Sequence, residues 1–338
     1  MLLTRARRIL SAVAVLTAVA ACGGGPTPSP APAAASGPPT DAGRGSPIPA
    51  ATAAGPALHG PRIVLVIEEN HSLDQVVGSP SAPALNRLVS NGTLLSQFYA
   101  TRHPSLPNYI ALLAGDTYGI VTDCGDCSVS QPTLVDQLEH AQLSWRAYLQ
   151  GLPSACAANV RNAGAYAKKH NPFAYFPAIT ADPSRCRNLV PFDQFADDAR
   201  SGRLPQVVWV TPDLAHDMHG LDVGEPNAGR ITAADTFLGE LYDTLQSSPA
   251  WQDDTRMVVT WDEGAGGQQG DHGCCEGAAV GGHVATVVVG PRVPHGTDGG
   301  VYDHYALLRS VETALGLPYL AHAADAVSKD IPAVSAAR

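Results

Sequence analysis

The chain is short of positive charge. Its 338 residues carry 21 Lys and Arg against 31 Asp and Glu, a formal net charge of −10. A surface of that sign repels polyanions, which excludes a nucleic-acid backbone as the main partner. It does not exclude a small phosphate ester, because a metal can dominate the field inside one site whatever the net charge. A comfortable bilayer span is also missing from the leader: the apolar run Ile9 to Ala21 is short, follows Arg5, Arg7 and Arg8, and ends in small residues. That is the pattern of an export signal over residues 1–21, and its removal would take the charge to −13. Large apolar side chains are scarce from Gly23 to about Gly60, where Gly, Pro, Ala, Ser and Thr dominate. Such a composition cannot offset the entropy of ordering and reads as a flexible tether. No internal repeat is evident.

The leader ends Val19-Ala20-Ala21-Cys22, which resembles the bacterial lipobox, in which the cysteine becomes the lipidated first residue. The expectation is an extracytoplasmic lipoprotein, tethered through residues 22–60 and held at the cell membrane by acyl chains on Cys22. The alternative is an ordinary signal peptide cut near the same alanines and a secreted product. Residues 61–325 read as one large domain and 326–338 as a tail.

Setting Cys22 aside leaves Cys124, Cys127, Cys156, Cys186, Cys274 and Cys275, an even number for an oxidising compartment. Cys156 and Cys186 flank one irregular segment and are the preferred disulfide. Adjacent Cα atoms lie about 3.8 Å apart, below the usual disulfide range, so a Cys274–Cys275 bridge would be strained; a cross-pairing with Cys124 and Cys127 is the other arrangement, and the connectivity of these four stays open. Zinc held by His272, Cys274 and Cys275 is the rival reading.

Short runs rich in valine and isoleucine predict strands at Ile63 to Ile67, Gln206 to Val210, Arg256 to Trp261 and Ala285 to Val289. Helical patterns fall at Ala82 to Ser90, Leu106 to Leu113, Thr133 to Glu139, Ala233 to Leu245 and Tyr305 to Leu315. The alternation predicts an α/β fold with a mostly parallel central sheet flanked by helices on both faces. Polar residues fall at the carboxyl ends of the strands: Glu68, Glu69 and Asn70 after the first, Asp213, His216, Asp217 and His219 after the second, Asp262 and Glu263 after the third. In open α/β sheets those ends converge on one crevice. Carboxylates gathered there repel one another unless a cation intervenes. Strand alternation sends Glu68 and Glu69 to opposite faces, and Glu69 is preferred for the crevice. Taken singly, each acid could equally cap a helix or solvate a loop.

His103-Pro104-Ser105-Leu106-Pro107-Asn108-Tyr109 is the second feature. Pro107 suits a first helical turn, which sets Ser105 near a helix amino end, where free N–H groups and the dipole favour an anion. Ser105 can be a helix cap or a nucleophile on these grounds.

With those residues in view, the chain resembles the bacterial phosphoesterase family of acid phosphatases and non-specific phospholipases C, within the alkaline-phosphatase-like hydrolases. The resemblance spans most of Arg62 to Leu317. It rests on Glu69-Asn70-His71-Ser72-Leu73-Asp74 ending in Gly78, on His103 to Tyr109, on Pro212-Asp213 through Asp217-Met218-His219, on Thr260 to Gly264, and on Tyr302-Asp303-His304-Tyr305 with Leu308-Arg309. It implies a metal site of Glu69, Asn70, Ser105, Asp262 and Glu263 for one divalent ion, with calcium, magnesium, manganese and zinc all open. It further implies Ser105 as the nucleophile of a phosphoserine mechanism, Asn108 as a donor to a phosphate oxygen, and His219, then His304, as proton carriers, with His272 and His103 behind them. The implied activity is that of an acid phosphatase on small phosphate esters. A phospholipase C or phosphodiesterase is the alternative, and a catalytically silent surface-binding lipoprotein the third reading. Phospholipase C members carry extra carboxyl-terminal domains, and this sequence ends soon after the Tyr305 helix, which favours the phosphatase.

Overall fold

All seven residues of the first strand, Arg62–Glu68, are buried, as are all seven of Thr255–Trp261 beside it. A strand buried on both faces needs layers on both sides, which is why these segments read as continuous apolar runs instead of alternating ones. The computed structural model describes residues 60–336 apart from 159, 222–223, 252–253, 267–272, 276–278 and 326. The export signal, Cys22, the tether and His272 lie outside the described residues.

In chain order the elements are β1 (Arg62–Glu68), α1 (Leu73–Val76), α2 (Pro83–Ser90), β2 (Thr93–Tyr99), α3 (Ser105–Ala114), α4 (Leu134–His140), β3 (Trp145–Leu149), β4 (Asn162–Ala163) and β5 (Tyr166–Ala167). They continue with α5 (Pro177–Thr180), α6 (Pro183–Cys186), β6 (Leu189–Pro191), α7 (Gln194–Arg200), β7 (Val207–Thr211), α8 (Asn227–Gln246), β8 (Thr255–Trp261), β9 (His283–Val284), β10 (Thr286–Val289), β11 (Gly296–Asp303), α9 (His304–Leu315) and α10 (Pro332–Ser335). The main sheet runs β11-β2-β10-β8-β1-β7-β3-β6, with β9 also against β2. Pairings from β8 through β1, β7 and β3 to β6 are parallel. β10 lies antiparallel between β8 and β2, so the sheet is mixed and mostly parallel. Helices pack in two groups, α2 and α7 on α8, and α3 and α10 on α9.

Helix α3 carries Ser105 and is buried over all ten residues. It ends at Gly115, whose left-handed backbone (φ +79) closes the last turn by donating to the Ala111 carbonyl. A helix held on every side fixes its first residue firmly.

Two expectations change. Residues beyond 325 do not form a loose tail: Ile331 and Val334 are fully buried, and α10 packs on α9. The cysteines pair as Cys156–Cys186, as preferred, and the four whose connectivity the sequence leaves open pair as Cys124–Cys127 and Cys274–Cys275, the adjacent bridge and not the cross-pairing. The adjacent pair forms with Cα atoms 3.7 Å apart and Cys275 in the left-handed region. Asp303 lies beside that pair, yet sulfurs joined to each other are not thiolates and cannot hold zinc.

Candidate active site

The ends of β1 and β8 are in register, Glu68 opposite Trp261, and the Asp262 amide donates to the Glu68 carbonyl at 2.9 Å. The next residues of both chains therefore emerge side by side. Asn70, in left-handed backbone (φ +57), donates its amide to Asp262 Oδ1 at 3.2 Å, and the Glu263 amide donates to the same oxygen at 2.6 Å. Asp262 Oδ2 is buried and has no hydrogen-bond partner. A buried carboxylate oxygen without a partner at this point has the chemistry of a cation ligand.

Ser105 Oγ sits between the two acidic pairs. It donates to Glu69 Oε2 at 3.0 Å and lies 3.3 Å from Glu263 Oε1. Glu69 Oε2 also accepts from the Asn70 side-chain amide at 3.2 Å, while Glu69 Oε1 accepts from the Tyr109 hydroxyl at 2.8 Å. His103 Nδ1 makes a short contact with Glu263 Oε2. Burial, then the charges of Glu69 and Glu263, pushes the Asp262 carboxyl well above the usual range. Burial, offset in part by His103 and reinforced by Glu69, raises Glu263 as well. Carboxyls that resist ionising for these reasons form a donor set that fits a hard divalent cation. Glu69, Asn70, Ser105, Asp262 and Glu263, expected as metal ligands, are thus brought together.

Glu68 lies apart, with both carboxyl oxygens buried and unpartnered and its pKa driven up by burial and by Asp217, Asp235 and Glu69. Of the two, Glu69 is the one whose carboxylate meets the Ser105 hydroxyl.

Two expected catalytic residues spend their polar atoms on other partners. Asn108 spends both amide hydrogens on the carbonyls of Arg102 (2.8 Å) and Pro104 (3.1 Å), and its oxygen accepts from the Arg102 amide at 2.7 Å. It holds the loop before α3 in place and has no hydrogen left for a phosphate oxygen. His304 is fully buried; its Nδ1 faces the Thr101 amide at 3.4 Å and hydroxyl at 3.2 Å, and its Nε2 lies 3.0 Å from the Trp261 carbonyl. An amide can only donate and a carbonyl only accept, so the ring is the neutral Nε2–H tautomer with no position free for proton transfer. Burial pushes its pKa down to about 4.

His219 has one ring nitrogen held by the backbone. Its Nδ1 lies 2.9 Å from the Gly220 carbonyl, which puts the proton on Nδ1 and leaves Nε2 as the basic atom of the neutral ring. Its ring centre is 5.9 Å from that of His170. Asp213 and His216 pair with each other at 2.8 Å and take no part in the site.

His170 and Lys169 were not anticipated. His170 Nε2 is 3.0 Å from Glu69 Oε1 and Nδ1 is 3.2 Å from Asp217 Oδ2, ion-pair contacts that fall off the line of good hydrogen bonds. Burial opposes its charge, but Glu69 and Asp217 overcome this and push its pKa up to about 9. In return His170, with Lys169 and His219, outweighs burial and holds Glu69 below the usual carboxylate range. Lys169 Nζ lies 3.3 Å from Ser105 Oγ and 3.2 Å from Asp123 Oδ2. One signal was available: the chain has three lysines, and Lys168-Lys169-His170 is a cationic run in an acidic sequence.

A serine at a buried helix end, flanked by acids from two parallel strand ends, sits on a fold of known class. A protein of the alkaline phosphatase superfamily from Vibrio parahaemolyticus superposes with TM-score 0.53 at 17% identity, covering 82% of this chain and 70% of that one. A phosphonate monoester hydrolase of Agrobacterium radiobacter gives 0.51 at 14% identity, over 82% and 78%. The fold is therefore alkaline-phosphatase-like.

Sequence relationships narrow the class. Residues 79–318 match the Phosphoesterase family, and the chain is 32% identical over 265 residues to the phosphatidylinositol-3-phosphatase of Mycobacterium tuberculosis, covering 78% of this chain and 80% of that protein. It is 30% identical over 269 residues to an acid phosphatase of Aspergillus niger and 29% over 245 to a phosphate-repressible acid phosphatase of Penicillium chrysogenum. The chain covers 59% and 55% of those two fungal proteins, little over half of each. This chain belongs to the Phosphoesterase family and is a hydrolase of phosphoric esters.

Proposed function

We propose that the protein is a metal-dependent acid phosphatase that works through a phosphoserine at Ser105, anchored at the outer face of the cell membrane. The observation that carries this reading is the Ser105 hydroxyl set between Glu69 and Glu263 beside the unsatisfied Asp262 Oδ2, at the amino end of a buried helix.

Glu69, Asn70, Asp262 and Glu263, with Ser105 Oγ, would hold the ion. When bound, a divalent cation there lowers the pKa of the serine hydroxyl and neutralises charge on a phosphate oxygen. The chain's own groups do the rest. Glu69 Oε2 already accepts the Ser105 hydroxyl hydrogen and orients Oγ for in-line attack on phosphorus. The new Oγ–P bond forms as the ester P–O bond breaks, and the leaving alkoxide takes a proton. Water then cleaves the Oγ–P bond, releasing inorganic phosphate and restoring the serine hydroxyl. His219, with its basic Nε2, is the residue assigned to proton traffic in both steps. Lys169 supplies positive charge beside Oγ. Oxygen-rich donors suit calcium, magnesium or manganese and do not exclude zinc.

The relative named a phosphatidylinositol-3-phosphatase supports a monoester preference that extends to lipid substrates. The lipidated Cys22 remains the reading for localisation, carried by the leader pattern alone. Among the described residues no helix is long and apolar enough to cross a membrane. A panel of nitrophenyl phosphate, its bis-ester, phosphatidylinositol phosphate and phosphatidylcholine tests the substrate class. Turnover of the monoesters supports the phosphatase. Turnover of the diester or phosphatidylcholine alone would replace it with a phospholipase C or phosphodiesterase.

A further inference from the structure

Asp123 stands just before the loop closed by the Cys124–Cys127 disulfide, and its carboxylate reaches to the nucleophile's immediate surroundings. Its Oδ1 accepts from the Leu106 amide at 2.9 Å, and its Oδ2 meets Lys169 Nζ at 3.2 Å. Leu106 is the residue after Ser105, and Lys169 Nζ is itself 3.3 Å from Ser105 Oγ. One carboxylate thus bridges a first-turn amide of α3 and the cation nearest the serine.

Those are the donors a phosphoryl group on Ser105 would seek. Its non-bridging oxygens carry negative charge and lie one bond beyond phosphorus from Oγ, within reach of the following amide and of an ammonium already touching Oγ. The two oxygens of Asp123 take both donors, as two oxygens of a phosphate would. Asp123 is also an anion beside a serine already flanked by Glu69 and Glu263. It is exposed at the rim, so water can receive it if it leaves.

We propose that the Leu106 amide and Lys169 form a phosphoryl-oxygen subsite beside Ser105, and that Asp123 is a built-in anion which fills this subsite at rest and yields it to an incoming phosphate. The idea rests on the phosphate-ester reading of the site. Under the opposite reading, in which Asp123 serves only to cap α3 and aim Lys169, its neutralisation would loosen both donors and weaken phosphate binding.

Equilibrium binding of inorganic phosphate to the full-length protein, by dialysis against labelled phosphate, separates the two. Asp123→Asn keeps a side-chain acceptor for the Leu106 amide while removing the charge; it is expected to bind phosphate about fivefold more tightly, the scale of one partly exposed charge. Lys169→Met is expected to bind at least about fivefold more weakly. An Asp123→Asn protein that binds no more tightly than the parent, or a Lys169→Met protein that keeps parental affinity, would overturn the proposal. A parent that hydrolyses no ester while Asp123→Asn still tightens phosphate binding would sink the hydrolase reading alone. Turnover without that tightening would leave the hydrolase reading standing and this one overturned.

Discussion

His170 spans Glu69 and Asp217, with Nε2 3.0 Å from one carboxylate and Nδ1 3.2 Å from the other, so a single buried ring ties the residue after β1 to the loop that follows β7. Removing it leaves two buried acids without the cation between them, and breaking a buried ion pair in this way costs about 3–5 kcal/mol. His170→Ala is therefore expected to lower stability by that order in urea unfolding. His170→Gln, which keeps polar atoms without the charge, should recover only part of it.

The same ring gives a pH signature. Its folded pKa of about 9 lies above the ordinary histidine value of 6.5. A group raised in this way contributes fully below the unfolded pKa and loses its contribution as pH rises through the folded one. In a chelator-treated protein the melting temperature should fall between about pH 6.5 and 9, and His170→Gln should flatten that slope. An unchanged slope in the variant would place the titration elsewhere.

Glu312 offers a test away from the site. Its side chain is buried on α9, Oε1 accepts from the Leu320 amide at 3.0 Å, and Oε2 has no partner. Burial raises its pKa to about 8, so between about pH 4.5 and 8 the folded state retains a proton that the unfolded state has lost, and stability falls as pH rises. Glu312→Gln should melt a few degrees higher than the parent at pH 8, with the gap closing below about pH 4. Melting curves at the two pH values check it.

His304 separates structural from catalytic histidines. With Nδ1 turned to Thr101 and Nε2 to the Trp261 carbonyl, it braces the loop before α3 against the end of β8. His304→Phe should lower stability by about 1–3 kcal/mol, the cost of leaving those groups unpaired. The pH profile of kcat should keep its shape. A lost limb in that profile would return His304 to the proton-carrying role.

Much of this architecture was legible in the sequence, and the exceptions have physical causes. β1, β7, β8 and β10 are buried on both faces and show as unbroken apolar runs. β2 (TLLSQFY) mixes burial with half-exposure, and β11 (GTDGGVYD) is a glycine-rich edge strand, so neither carries a clear period. At the site, Glu69, Asp262 and Glu263 were readable because strand ends in an α/β sheet converge. Lys169 and His170 arrive from the short turn Lys168–His170, outside any strand end, so the convergence of strand ends does not reach them and only their cationic run in an acidic chain marks them. Asn108 and His304 both sit in family motifs, and their polar atoms are engaged in holding the loop around Ser105, a pairing that the motifs alone do not reveal.

The proposed metal dependence rests on the acids around Ser105. A chelator should abolish turnover and added divalent ions restore it. Asp262→Asn, which halves the charge of the central pair, should weaken metal affinity at least about tenfold, since even groups that merely orient a ligand are worth that much. Calorimetric metal titration reads this directly.

The central claim is that Ser105 carries the phosphoryl group. Rapid quenching of the enzyme with a phosphate ester, followed by mass spectrometry of the peptide holding Ser105, should find one phosphate on that residue during turnover and none in Ser105→Ala, whose activity should fall by about a thousandfold or more. An active enzyme with Ser105 unmodified at every quench time, or a Ser105→Ala protein that keeps its rate, would contradict the account.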